Sequence, residues 1–265
     1  MAVTAPIPTP TPQTPAPRRR RRRGWIALIA ILIIVAAAAV AAEFIARAVV
    51  RDQVRQNVVQ ALGMPADHPV DVGLEGIVLA QLAGGALDVV SLSSDDVPIG
   101  DMTADADVEL TRVPVRDGVD GGPGTGRLWI DAATVEQLFA QSRQPGVLAS
   151  AALSLDEPDI VLSNEFPVLG AQVPVSLALT PGAAEGGLTF TPTKARLGDV
   201  ELGLDQLAAV IGMPPEPATV CIADRLPAGL SLADVSVVGD QLVAEVTLAE
   251  GMLTDPALQQ PGTCG

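Results

Sequence analysis

The sequence predicts an α+β protein, with one membrane-spanning helix near the N-terminus followed by an exported domain built mainly of antiparallel strands. Three observations carry this prediction. An uncharged apolar run occupies Trp25–Ala42, directly behind six consecutive arginines. After Pro65, apolar and polar residues alternate with period two in several separate stretches, as in strands with one buried and one wet face. The 25 glycines and 23 prolines fall largely between those stretches, where the turns of an antiparallel sheet belong.

Taken in order, residues 1–23 form a cytoplasmic tail. Prolines at 6, 8, 10, 12, 15 and 17 remove backbone donors and hold the chain extended, so this stretch is expected to be disordered and polyproline-like. Residues 24–45 form the anchor. Eighteen uncharged residues at a rise of ~1.5 Å nearly cross a ~30 Å hydrocarbon layer, and Phe44 and Ile45 lengthen the span. Trp25 suits the headgroup level, and Arg18–Arg23 hold the N-terminus on the cytoplasmic side of the plasma membrane, so residues 46–265 are expected outside it. A cleaved signal peptide is the rival, with small residues at Val40-Ala41-Ala42. Its apolar core is usually only ~7–15 residues long, so the uncleaved anchor is preferred.

Phe44–Leu62 reads as a helix continuing from the anchor. Val50, Val54 and Val58 recur at four-residue steps, and Gly63 and Pro65 stop it. Arg47, Arg51 and Arg55 step along one face, which leaves two readings open, contact with anionic headgroups or a solvated helix face. Strands are expected at Val70-Val72-Leu74, Ala104-Ala106-Val108-Leu110, Val173-Val175-Leu177-Leu179 and Leu242–Leu248. Asp131 is a plausible N-cap for a helix over Ala132–Arg143, with Val135, Leu138 and Phe139 on one face. Leu204–Ile211 is a shorter candidate helix. Similar short strands, Ala106–Leu110 and Gly198–Leu202, precede the two helices and hint at a duplicated unit. Gly121–Gly126 reads as a long hairpin loop. No linker divides residues 64–265, so one domain over residues 46–265 is expected.

Composition narrows the chemistry. Residues 1–23 carry no acid, which leaves 10 basic against 31 acidic side chains in the remainder, a net of −21. Phosphate backbones are bound through Lys and Arg, so nucleic acid is excluded as a partner. The one His and one Lys (Lys194) leave little for acid–base catalysis. Gly122-Pro123-Gly124 lacks the Lys-Ser/Thr of a phosphate loop and opens no helix. Ser231 in Gly229-Leu230-Ser231-Leu232-Ala233 lacks the second glycine of a nucleophile elbow. His68, in Asp67-His68-Pro69, sits in a turn. Asp95, Asp96, Asp101, Asp105 and Asp107 are dense, but they miss the spacing of a calcium loop, and strand alternation already turns Asp105 and Asp107 outward. No catalytic residue, metal site or cofactor is expected. Cys221 and Cys264, in an exported domain and far from C-x-x-C spacing, are expected to form a disulfide.

What remains is apolar surface. A greasy sheet face with few aromatics, 2% of residues, suits either an unfilled groove for an acyl chain or a dense core, and both readings stand. Val135, Leu138, Phe139, Val175, Leu177 and Phe190 are the candidate groove-lining residues.

The late segment Leu226-Pro227-Ala228-Gly229-Leu230-Ser231-Leu232-Ala233-Asp234-Val235-Ser236-Val237-Val238-Gly239-Asp240-Gln241-Leu242-Val243 changes the balance. With the anchor, the helix after it and the strand-rich remainder, it resembles the LmeA-type phospholipid-binding proteins of actinobacterial cell envelopes, over roughly Phe44–Leu253. The resemblance implies a tubular lipid-binding architecture, in which one elongated, strongly curved antiparallel sheet wraps a long helix. It also implies a phospholipid or lipid-linked glycan precursor as partner and a link to mannan or lipoglycan assembly. It carries over no catalytic residues. The alternative is a non-enzymatic envelope scaffold whose sheet surface binds another protein.

Overall fold

The structure is a computed structural model describing residues 20–99, 102–141, 151–168, 171–184, 186–198, 200–203, 205–206 and 216–263. Two compact units divide the chain between Ile45 and Ala46. A helix, α1, runs over Arg20–Ala61. In the first unit its apolar residues are exposed all round, from Trp25 at 68% to Ile45 at 65%. From Trp25 it is long and apolar enough to cross a membrane.

The second unit begins with the rest of α1, whose end is built from local sequence. Gly63 adopts φ +65°, Met64 N–H donates to Val59 O at 2.9 Å, and Gly63 N–H donates to Gln60 O at 3.3 Å. This is a Schellman end, and its usual apolar contact is present because Val59 and Met64 pack in one cluster with Val70 and Val97. Val50 and Val54 pack on Leu74, Val78, Leu87 and Val90. The four-residue valine spacing therefore does mark the buried stripe of this helix.

Among the described residues, twelve strands form two antiparallel sheets. The first has the order β1-β2-β3-β4-β12-β11, with β1 Asp71–Leu74, β2 Ala86–Ile99, β3 Met102–Pro114, β4 Gly124–Asp131, β12 Gln241–Leu248 and β11 Leu230–Val238. The second has the order β10-β8-β7-β6-β5, with β9 beside β8. Its strands are β5 Ala152–Asp156, β6 Asp159–Val168, β7 Ala171–Ala184, β8 Gly187–Leu197, β9 Val200–Leu202 and β10 Ala218–Cys221. A short helix, α2, covers Val78–Gly84, and α3 covers Ala132–Gln141. The sequence-based expectation of a single sheet is corrected to two, neither of them closed. Period-two patterning reports which side of a strand is apolar, and it is silent on which strands pair.

The cap of α3 is as its sequence indicates. Asp131 Oδ1 accepts from Thr134 N–H at 2.7 Å, satisfying one donor of the first turn. Arg143 lies outside the described residues, as does Leu204–Ile211 apart from the helical pair Asp205–Gln206. Gly124 and Gly126 are not loop residues. They lie within β4, paired to β3 and β12, so only the first part of the glycine run is a connection. Glycine carries no side chain to show alternation, and this hides the strand in the sequence.

Candidate functional site, an apolar groove on the first sheet

Register assigns the faces of the first sheet. Paired residues of antiparallel strands point to the same side. One row across five strands is Val72, Leu92, Val108, Gly126 and Val246. A parallel row is Leu74, Val90, Leu110, Gly124 and Leu248. The opposite face carries Ser91, Ser93, Asp107, Glu109, Thr125, Arg127, Glu245 and Thr247, most of them exposed. The first sheet therefore has one apolar face and one polar face.

Helices cover the apolar face only in part. The second-unit portion of α1 packs over β1 and β2. Val135 of α3 packs with Ala104 and Ile130, and Met102, Leu153, Leu155 and Leu242 adjoin that cluster. Between these coverings the central row borders a cavity of about 1160 Å³. Its boundary includes Val70, Val72, Leu92, Val108, Gly126 and Val246 from the sheet, and Ala48, Arg51, Asp52 and Arg55 from α1. Val72, Leu92 and Val108 are half-buried, as expected of side chains that face an open groove.

Glycine keeps the middle of this groove low. A Cβ added at Gly126 would lie 2.8 Å from Val246 Cγ2, and one added at Gly124 would lie 2.7 Å from Leu110 Cδ2. At Gly126 the Val246 side chain would have to move, and at Gly124 the backbone Glu109 O, 2.8 Å from the added Cβ, stands in the way as well.

The α1 rim is polar, and its three arginines do different things. Arg47 donates from Nη1 to Leu74 O and from Nη2 to Gly76 O, both at 2.6 Å. Arg55 Nη2 donates to Ala66 O at 3.0 Å and His68 O at 2.9 Å. These two side chains fasten the segment that leads into and out of β1, which forms one wall of the groove. Arg51, between them, makes no hydrogen bond or ion pair among the described residues. Neither of the two readings open from sequence covers Arg47 and Arg55, because their spacing along α1 gives no hint of carbonyls 11 to 29 residues further on.

The six sequence-selected residues are distributed differently. Val135 is the buried residue of α3, and Leu138 and Phe139 on the same helix are half-buried. Val175 and Leu177 belong to a separate cluster on the second sheet with Ala195 and Leu202. Phe190 is half-buried on β8, opposite Ala218 of β10 and Pro181 of β7. None of the six borders the 1160 Å³ cavity. The feature that marks its floor is Gly126 set between Val108 and Val246, a relation that exists only once the register is known.

The possible catalytic groups stand apart from one another. His68 Nε2 lies 3.0 Å from Asp95 O, and Ser231 Oγ lies 2.7 Å from Thr247 Oγ1. Asp105 Oδ1 accepts from Asp96 N–H at 2.9 Å, and Asp101 is outside the described residues. Among the described residues no group of three His, Cys, Asp or Glu side chains is arranged to hold a metal. Cys221 ends β10, and Cys264 lies outside the described residues.

No curated protein and no solved structure matches this chain. The LmeA-like phospholipid-binding family matches it over residues 41–247, a span that takes in the groove-forming part of α1, β1–β4, nearly all of β12 and the whole second sheet. A match of that extent, over the elements that form the groove, identifies the chain as a member of the LmeA-like phospholipid-binding family.

Proposed function

We propose that this protein binds a phospholipid in the groove of the first sheet while held at a membrane by the apolar part of α1. One observation carries the proposal. The row Val72–Leu92–Val108–Gly126–Val246 is apolar throughout and borders the cavity along its length, with Val72 and Leu92 also packed against the cluster beneath α1 at one end. Strands lie ~4.8 Å apart, so five of them present a track of roughly 19 Å, the scale of a fatty acyl chain. Each methylene laid on that track contributes ~0.8 kcal/mol by leaving water. The net of −21 in residues 24–265 works against adsorption to an anionic surface, which makes a covalent anchor the means of staying near lipid.

In this reading Arg18–Arg23 stay in the cytoplasm and the second unit lies outside the plasma membrane, where it supports mannan, lipoglycan or envelope assembly. A lipid-linked glycan precursor would use the same track. Cys221 and Cys264 form a disulfide. This is supported by the tail, which is already fastened beside Cys221: Gly262 N–H donates to Leu226 O at 2.9 Å, and Pro227 and Pro261 form a β-bridge.

The test is photolabelling of the full chain, reconstituted in vesicles, by a phospholipid with a photoactivatable acyl terminus. Crosslinks on peptides containing Val108, Gly126 or Val246 are expected, and Ala48→Trp, an exposed change at the cavity edge, should suppress them. Labelling confined to Trp25–Ala42 would mean surrounding bilayer only and would overturn the groove. The protein-scaffold alternative would then be the one to pursue.

A further inference from the structure

We infer that Arg51 takes the phosphate of the bound lipid, which sets the lipid's direction: headgroup at the α1 rim, acyl chain running toward β12. This rests on the groove proposed above. Three arginines border the cavity, Arg51, Arg55 and Arg127. Two of them are committed elsewhere. Arg55 is on the carbonyls of Ala66 and His68, and Arg127 Nη2 holds Glu245 Oε1 at 2.5 Å on the polar face of the sheet. Asp52, beside Arg51 on the rim, has its carboxylate engaged by Gln56 Nε2 at 2.8 Å. Arg51 is thus the cation at the cavity edge with no hydrogen bond or ion pair among the described residues. The other carboxylates that border the cavity, Asp71, Asp107, Glu109 and Glu245, lie at sheet positions that alternate with the apolar row. They therefore project from the far side of the sheet.

A guanidinium at the end of an apolar track matches the two parts of a phospholipid. Its planar donors suit two phosphate oxygens, and such charge-assisted bonds are about twice as strong as neutral ones. Immobilising the acyl chain on the sheet brings the phosphate to Arg51 without a separate entropic cost.

The experiment compares two photoactivatable lipids with the same acyl chains, phosphatidic acid and diacylglycerol, on the full chain. Labelling of the β3, β4 and β12 peptides by phosphatidic acid should exceed that by diacylglycerol by about tenfold, the scale of a charge-assisted bond. Arg51→Ala should bring phosphatidic acid down to the diacylglycerol level and leave diacylglycerol unchanged, with Arg51→Lys in between. Arg51→Ala retaining the preference would overturn the headgroup assignment while the groove stands. Neither lipid labelling these strands in the unaltered chain would overturn the groove and the assignment together. Excess glycerol 3-phosphate should not compete. If it displaces phosphatidic acid fully, the site takes phosphate without the lipid, and the proposed source is wrong.

Discussion

Replacing Arg47 by methionine keeps an apolar stem in place and deletes the guanidinium that holds β1. The side chain spans from α1 to Leu74 O and Gly76 O, each at 2.6 Å, the first partly buried and the second exposed. Hydrogen bonds from a charged donor contribute about 1.5–3 kcal/mol each, so with the exposed one discounted for solvent the pair is worth about 2–3 kcal/mol. The loss should be local, because β1 is a four-residue edge strand paired only to β2. Hydrogen exchange on the full chain reads this directly, since local opening sets the protection of edge amides. Protection within Asp71–Leu74 should fall roughly 30- to 140-fold at 1.4 kcal/mol per decade, with that of β6 and β7 unchanged. Lipid labelling of the groove should weaken as well, because Val70 and Val72 on this segment form its wall. Protection in β1 that changes no more than in β6 and β7 would refute the clamp.

Other substitutions separate backbone geometry from space. Gly63→Ala meets no atom within 4 Å but must hold φ +65°, so it should cost about 1 kcal/mol and leave lipid binding unaltered, as read by chemical denaturation and photolabelling. Gly126→Ala has no such backbone demand, but its Cβ lands 2.8 Å from Val246 Cγ2; it should cost about 1–3 kcal/mol and also reduce groove labelling, and unchanged labelling would argue against the floor assigned here. Asp131→Ala removes the acceptor for Thr134 N–H and should cost about 1 kcal/mol, seen as faster exchange at that amide alone. Intact mass of the exported chain should increase by two hydrogens on reduction if Cys221 and Cys264 are joined, and an unchanged mass removes the disulfide.

Much of the architecture was legible in the residues, because it rests on short-range physics. The apolar run of α1, the valine stripe that seats its second part, the glycine stop at Gly63 and the Asp131 cap each depend on residues within a turn or two. The strands of β3, β7 and β12 were visible because alternation is a local property. What the tertiary structure alone decided was pairing. Strand order divides the expected single sheet in two, and it turns Gly124 and Gly126 from loop into strand, with Gly126 on the floor of a groove. It also buries Val135 of α3 against Ala104 and Ile130, and sets Val175, Leu177 and Phe190 on the second sheet. The same holds for the arginines of α1: sequence gives them one face and one spacing, whereas the carbonyls within reach make two of them clamps and leave the third at the cavity. Side-chain type and periodicity are carried by the chain itself, but what a side chain meets depends on contacts between residues tens of positions apart, and only folding brings those together.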